Sequence, residues 1–237
     1  MIGIIIGLLL SWGLLKWLTN GGVKQLFEGG WLRSTRLLFT GVAFGLLVST
    51  IAAAIRLWLV GSVLSLNPDV SSWLLLEGLS FVVKSVAYEE LLFRGAIFLI
   101  VMQRFGAWPA LFTSSVLFGI YHWFTMGIVG QIIPMIAIFL MTGFMGAVWA
   151  YAFVKCKNIL LPIGLHIGAN LVSVVILSSS ALGAQLFIEN QGMPLFEYAW
   201  VVTLLISLFL VQLLTLFFVK ISHSRNLFSV NGDEVTR

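Results

Sequence analysis

The sequence predicts an all-α fold, a polytopic bundle of about seven transmembrane helices with the N-terminus outside and the C-terminus in the cytoplasm. Three observations carry this prediction. Of 237 residues, 60% are apolar and only 9% charged, whereas a soluble domain keeps roughly a quarter of its residues charged. Mean hydropathy is +1.07. The apolar residues also fall in runs long enough for helices of about 20 residues, the length that crosses ~30 Å of hydrocarbon. The single cysteine, Cys156, excludes a disulfide-stapled secreted module.

The runs lie near 1–19, 37–64, 73–103, 107–126, 132–153, 158–178 and 197–219. The first has no positive residue before Leu10 and no small-residue cleavage site after it, so it reads as a retained span and not a signal peptide. Asn20 to Arg36 is expected to lie on the membrane surface as an amphipathic helix, and the residues after Lys220 form a basic tail. Residues 1–237 read as one integral membrane domain, with a motif-bearing core at 73–178.

Lysine and arginine set the orientation, because positive loops stay cytoplasmic. One set of alternate loops holds Lys16, Lys24, Arg33, Arg36, Arg104, Lys155, Lys157, Lys220, Arg225 and Arg237, ten of the thirteen basic residues. The other set holds none and carries Asn67, Asp69, Gln131 and Glu189. The net charge of +4 is accounted for by these loops against anionic headgroups, without nucleic acid. Arg56, Lys84 and Arg94 fall inside spans, where ionisable groups are expensive and therefore paired or functional.

The third run gathers Glu77, Lys84, Glu89, Glu90 and Arg94. Glu90 and Arg94 are one helical turn apart and can pair side by side. Glu89 projects about 100° around the helix from Glu90 and has no basic residue at i+3 or i+4. It must find a partner on another helix, take a proton, or bind a metal or water. A carboxylate so placed suits general acid or base work. The bland alternative is that both glutamates form structural pairs with Lys84 and Arg94.

Of three histidines, two fall inside spans: His122 in FGIYH and His166 in HIGAN, one turn before Asn170. The i, i+4 spacing puts His166 and Asn170 on one face, and Gly164 and Gly168 flank His166 in a G-x-x-x-G pattern that admits a second helix at close range. Each histidine alone is better explained as a hydrogen-bonded interior residue than as a ligand. Together with Glu89 they form an inventory for activating water. His223 reads as a solvated tail residue. Cys156, between Lys155 and Lys157, sits where a thiolate is favoured, but no histidine is near it in sequence. The chain has no H-E-x-x-H, no G-x-S-G, and no aspartate inside a span, which removes the zinc-helix, serine and paired-aspartate routes to intramembrane proteolysis.

EELLFR at 89–94, FGIYH at 118–122 and HIGAN at 166–170 resemble, in order and spacing, the three motifs of the CPBP family of intramembrane endopeptidases. This is the CAAX-protease and bacteriocin-processing, or Abi, group, related to the type II CAAX prenyl protease. The resemblance implies a multi-pass membrane protease, at the plasma membrane if the source is prokaryotic, acting on a peptide or membrane-associated protein. It implies Glu89 as the catalytic carboxylate, His122, His166 and Asn170 as the rest of the site, and Glu90 and Arg94 as its structural support. Two mechanisms stay open. In one, Glu89 and His122 activate water while His166 and Asn170 donate to the oxyanion. In the other, Glu89, His122 and His166 hold a zinc ion that generates hydroxide. A small proton- or ion-coupled transporter would also place charges at mid-membrane, but no repeated half with interrupted helices is visible. A silent scaffold or immunity protein on the same fold is the third reading. Counting ~1.5 Å per residue from the assumed cytoplasmic ends, Glu89 and His122 come out roughly 22 Å deep and His166 about 12 Å, a mismatch that a kink near Pro109 or Pro162, tilt, or a misplaced boundary would resolve.

Overall fold

The computed structural model describes residues 2–19, 21–178 and 182–228. The expectation for the tail beyond Phe228 lies outside them. Helix α1 (Ile2–Thr19) leads through a 3-10 turn at Val23–Leu26 into α2 (Gly30–Val60), followed by α3 (Ser72–Arg94), α4 (Ala96–Phe105), α5 (Ala107–Thr125), α6 (Ile132–Cys156) and α7 (Leu160–Asn170). The last of these runs on as a π-helical segment, Leu171–Ile176. A final continuous helix comprises α8 (Ala199–Leu205), a π segment at Ile206–Leu210, and α9 (Val211–Ser224). Among the described residues, a pair of short strands, β1 (Val63–Leu66) and β2 (Phe187–Asn190), departs from the helical pattern, antiparallel with Val63 opposite Asn190.

Three helices, Gly30–Val60, Ile132–Cys156 and Ala199–Ser224, are long and apolar enough to cross a membrane, and Ile4–Thr19 and Leu160–Ile176 are shorter apolar helices. Large apolar side chains face outward over much of the bundle: Trp31, Phe39 and Trp58 of α2 and Phe112 of α5 are among many exposed aromatics. Such a surface is stable against lipid and not against water. The fold is therefore all-α and of membrane type.

Two expectations are corrected. The residues from Asn20 to Arg36 do not form a separate surface helix among the described residues: α2 begins at Gly30, and Arg33 is buried in its first turn. The Arg33 guanidinium donates to the carbonyls of Cys156 (2.7 Å), Phe228 (3.0 Å) and Glu28, tying the start of α2 to the end of α6 and to the C-terminal segment. The third run is also not one helix. It breaks at Gly95 (φ −80°, ψ −140°), where a Cβ would be driven into the Leu91 carbonyl oxygen. The Phe93 carbonyl freed by the break accepts from Ser114 Oγ of α5 at 3.0 Å. Cys156 is buried, its thiol donating to the Asn158 carbonyl at 3.1 Å, so it lacks the exposure its basic neighbours suggest.

The two loop sets distinguished by charge gather at opposite ends. At the basic end Phe27 bridges to Asn158, Glu28 N–H donates to the Lys157 carbonyl (3.2 Å), and Gln103 donates to Gln25 (3.0 Å). At the other end β1 meets β2, and Arg56, one of the three basic residues assigned to spans, donates to both carboxylate oxygens of Glu189 at 2.8 and 2.5 Å. These hydrogen bonds hold the Glu189 carboxyl below the usual carboxylate range. A depressed folded value means that the pair's contribution is present above the unfolded carboxylate pKa of ~4.3 and is lost as pH falls through the folded value. Arg56→Gln should lower the melting temperature near pH 7 by the equivalent of ~1 kcal/mol or less, and the difference from the parent should close on acidification. Thermal melts at a series of pH values check this.

The closest packing in the bundle is α2 on α7. The anticipated approach at Gly164 and Gly168 is met by Gly41 and Gly45 of α2, so four glycines face one another in two rows. A Cβ on Gly41 would lie 2.7 Å from the Leu161 carbonyl oxygen and 2.8 Å from the Leu165 nitrogen, both backbone atoms that cannot swing aside. Gly41→Ala should therefore cost on the order of 1–3 kcal/mol, read as a lower melting temperature in detergent. Because α7 carries His166, this contact also fixes the height of that histidine in the bundle.

Candidate active site

The site forms where the C-terminal half of α3, the middle of α7 and parts of α5 and α6 meet. The spacing of α3 delivers the expected ion pair: Arg94 Nε donates to Glu90 Oε2 at 2.7 Å, a second guanidinium nitrogen donates to Oε1, and both side chains are fully buried. Arg94 Nη1 has no hydrogen-bond partner among the described residues. The guanidinium instead lies over aromatic faces, 4.6 Å from the Phe118 ring centroid and 5.5 Å from that of Trp149. Planar cations on aromatic faces are attracted by the ring quadrupole, most strongly when desolvated.

Glu90 has a second role that the sequence did not disclose. Its Oε1 lies 2.8 Å from His166 Nδ1. A carboxylate already paired with arginine can only accept, so Nδ1 carries the proton. The imidazole is clamped from its face by Trp149, with ring centroids 3.8 Å apart and planes 24° apart. Its other nitrogen, Nε2, then stands 3.8 Å from Glu89 Oε2. Glu89 keeps 15% of its side chain exposed while Glu90 keeps none, and Lys84 pairs with neither glutamate among the described residues.

The structure brings Glu89 and His166 to one level, 3.8 Å apart, against the mismatch expected from counting along the runs; Glu89 lies five residues from the end of α3 and His166 six from the start of α7. The two prolines suspected of kinking occupy the first turns of α5 and α7, where no intrahelical hydrogen bond is lost. His122 does not join this cluster directly. Its Nδ1 lies 2.8 Å from the Phe118 carbonyl, which again assigns the proton to Nδ1 and leaves Nε2 as an acceptor. Phe118 is the intermediary: its ring packs edge-on against His122 (4.5 Å) and His166 (6.1 Å). Asn170 is half-buried one turn beyond His166, at the point where α winding gives way to π winding, a change frequent at functional sites.

Phe118 and Tyr121 lie inside FGIYH but were given no role from the sequence, and Trp149 was not singled out. Their roles depend on three helices converging, and an aromatic residue in an apolar span carries no local signal of that. For a metal, among the described residues no group of three His, Cys, Asp or Glu side chains is arranged to hold an ion. Glu89, His122 and His166 are not arranged as such a group, while both histidines have Nδ1 on a protein oxygen and so keep Nε2, the nitrogen left to a ligating or accepting histidine.

No curated protein and no solved structure gives a significant match to the chain. A family profile, Type II CAAX prenyl endopeptidase Rce1-like, matches residues 71–172. That stretch contains Glu89, Glu90, Arg94, His122, His166 and Asn170, the whole of the constellation described above. Residues 71–172 are thus similar to the Rce1-like family of type II CAAX prenyl endopeptidases.

Proposed function

We propose that the protein is a multi-pass intramembrane endopeptidase that hydrolyses a peptide bond of a peptide or membrane-associated protein, with Glu89 as general base and no metal step. The observation that carries this is the 3.8 Å separation of Glu89 Oε2 and His166 Nε2. Two acceptors at that spacing can both hold one water at about 2.8 Å, each taking one of its hydrogens. The oxygen lone pair is then free to face a substrate carbonyl.

Glu89 removes one proton as the oxygen attacks, giving a tetrahedral oxyanion. It returns that proton to the amide nitrogen as the C–N bond breaks, leaving a carboxylic acid and an amine. His166, neutral and protonated at Nδ1, accepts at Nε2 and orients the water. Donation to the oxyanion then falls to the Asn170 amide, one turn along α7, and not to His166. His122 Nε2 remains an acceptor available to substrate. Incubating purified protein with a peptide library, beside Glu89→Ala, tests the function. Cuts located by mass spectrometry in the parent and absent from the variant support it, and equal digestion by both would remove it.

The orientation belongs to the same proposal: seven crossings, the basic end cytoplasmic and the β1–β2 end external. A reporter fused after Arg237 should read as cytoplasmic and one inserted near Asn190 as external. A cytoplasmic reading at Asn190 would reverse the assignment of the two ends.

A further inference from the structure

Arg56 and Glu189 stand at the junction of two cavities at the β1–β2 end of the bundle, and both residues line each cavity. The outer cavity, about 440 Å³, is also lined by Ser62, Gln191, Glu197 and Trp200. That is within the ~300–1,000 Å³ range of ligand sites. The inner one, about 300 Å³, runs between three helices: Ala52 and Ala53 of α2, Val172 and Leu177 on the continuation of α7, and Ile206 and Val211 of the final helix. Both π segments, Leu171–Ile176 and Ile206–Leu210, contribute to its wall. Two serines on that wall, Ser173 and Ser207, donate to carbonyls of their own helices, those of Asn170 and Thr203. The wall they leave is mostly small and apolar, a surface that suits hydrocarbon better than water.

The outer cavity carries both signs of charge. The Arg56 guanidinium meets Glu189 end-on, through Nη1 and Nη2, which leaves Nε–H and the outer hydrogens of both terminal nitrogens for a second acceptor. Among the described residues, Arg56 is the only lysine or arginine on either wall, and Glu197 forms no ion pair. An anion alone would meet two carboxylates there, and a cation alone would meet the guanidinium. A ligand with one group of each sign answers the whole set. Trp58 and Trp200 are both exposed at this end, as indoles are at the headgroup level of a bilayer. We infer that the outer cavity holds the headgroup of a zwitterionic phospholipid, with its phosphate on Arg56 and its ammonium between Glu197 and the Trp200 ring, while the first part of one acyl chain enters the inner cavity. Ala169 and Ser173 on the inner wall bracket Asn170, so the chain packs against the turn of α7 that carries that amide.

The test uses full-length protein in detergent, freed of endogenous lipid and titrated with phosphatidylethanolamine or with phosphatidylglycerol of the same acyl chains. Native mass spectrometry counts the lipid bound per chain, with thermal melting beside it. Phosphatidylethanolamine should bind at one per chain and about 10-fold more tightly than the anionic lipid. Glu197→Gln, which breaks no ion pair among the described residues, should bring that ratio close to one. Arg56→Gln should weaken both lipids by about 10-fold or more. Ala53→Phe, which fills the inner cavity and leaves the charges in place, should weaken both while keeping the ratio. Soluble glycerophosphoethanolamine, the headgroup without chains, should bind at least ~100-fold more weakly than the lipid, since each buried methylene adds to the affinity. Equal or tighter binding of the anionic lipid, or a preference that survives Glu197→Gln in protein with the parent's lipid-free melting temperature, overturns the inference. So does a soluble headgroup that binds as well as the lipid, because the inner cavity would then hold no chain.

Discussion

Glu89→Gln is expected to lower kcat by at least ~10²–10⁴-fold, the contribution typical of a positioned acid or base, while leaving the protein folded. The amide keeps the size of the carboxylate and one oxygen acceptor, so the water site survives, but it can neither take a proton from water nor return one to the leaving nitrogen. The fold should tolerate the change because Glu89, unlike its neighbour, has no arginine partner among the described residues and retains contact with the surface. Single-turnover assays beside thermal melting separate the two effects. A substantial residual kcat in well-folded Glu89→Gln protein would remove Glu89 from the base role.

The second large effect is on stability. Glu90→Gln and Arg94→Ala should each destabilise by on the order of 3–5 kcal/mol, because each leaves a fully buried charge without its counter-ion. Glu90→Gln strands a guanidinium among Phe93, Phe118 and Trp149. It also removes the acceptor that fixes the His166 tautomer, so its surviving folded fraction should turn over more slowly as well. Arg94→Ala leaves Glu90 with His166 alone. The double variant Glu90→Gln/Arg94→Met should lose less than the sum of the two, since the charges leave together. Melting temperatures in detergent read this out, and single variants as stable as the parent would mean that the pair does not support the bundle.

Spacing and local chemistry made much of this legible in the sequence. The i, i+4 relation fixed the Glu90–Arg94 pair, and the G-x-x-x-G around His166 announced a close helix contact, because both lie within one turn or two of a single helix. What stayed hidden depends on several segments meeting. The hydropathy of residues 73–103 is continuous across Gly95, and only the backbone there, with Ser114 of α5 capping the freed carbonyl, shows that the run is two helices. Glu90 as the clamp on His166 was beyond reach for a related reason: residues 76 positions apart leave no mark on each other in one sequence. Glu189 as the partner of Arg56 joins α2 to β2 across a longer interval still, 133 positions.

Whether Glu89 and the Glu90-held His166 activate water by themselves is decided most directly on one preparation of active protein. Its metal content is determined by elemental analysis, metal is removed by exhaustive chelation, the chelator is dialysed away, and cleavage of a peptide identified from the library is followed. Full activity at far less than one zinc per chain is the expected result, with His166→Ala losing turnover although no metal is lost. Activity that disappears on chelation and returns with stoichiometric zinc, bound only while His122 and His166 are both present, would contradict it.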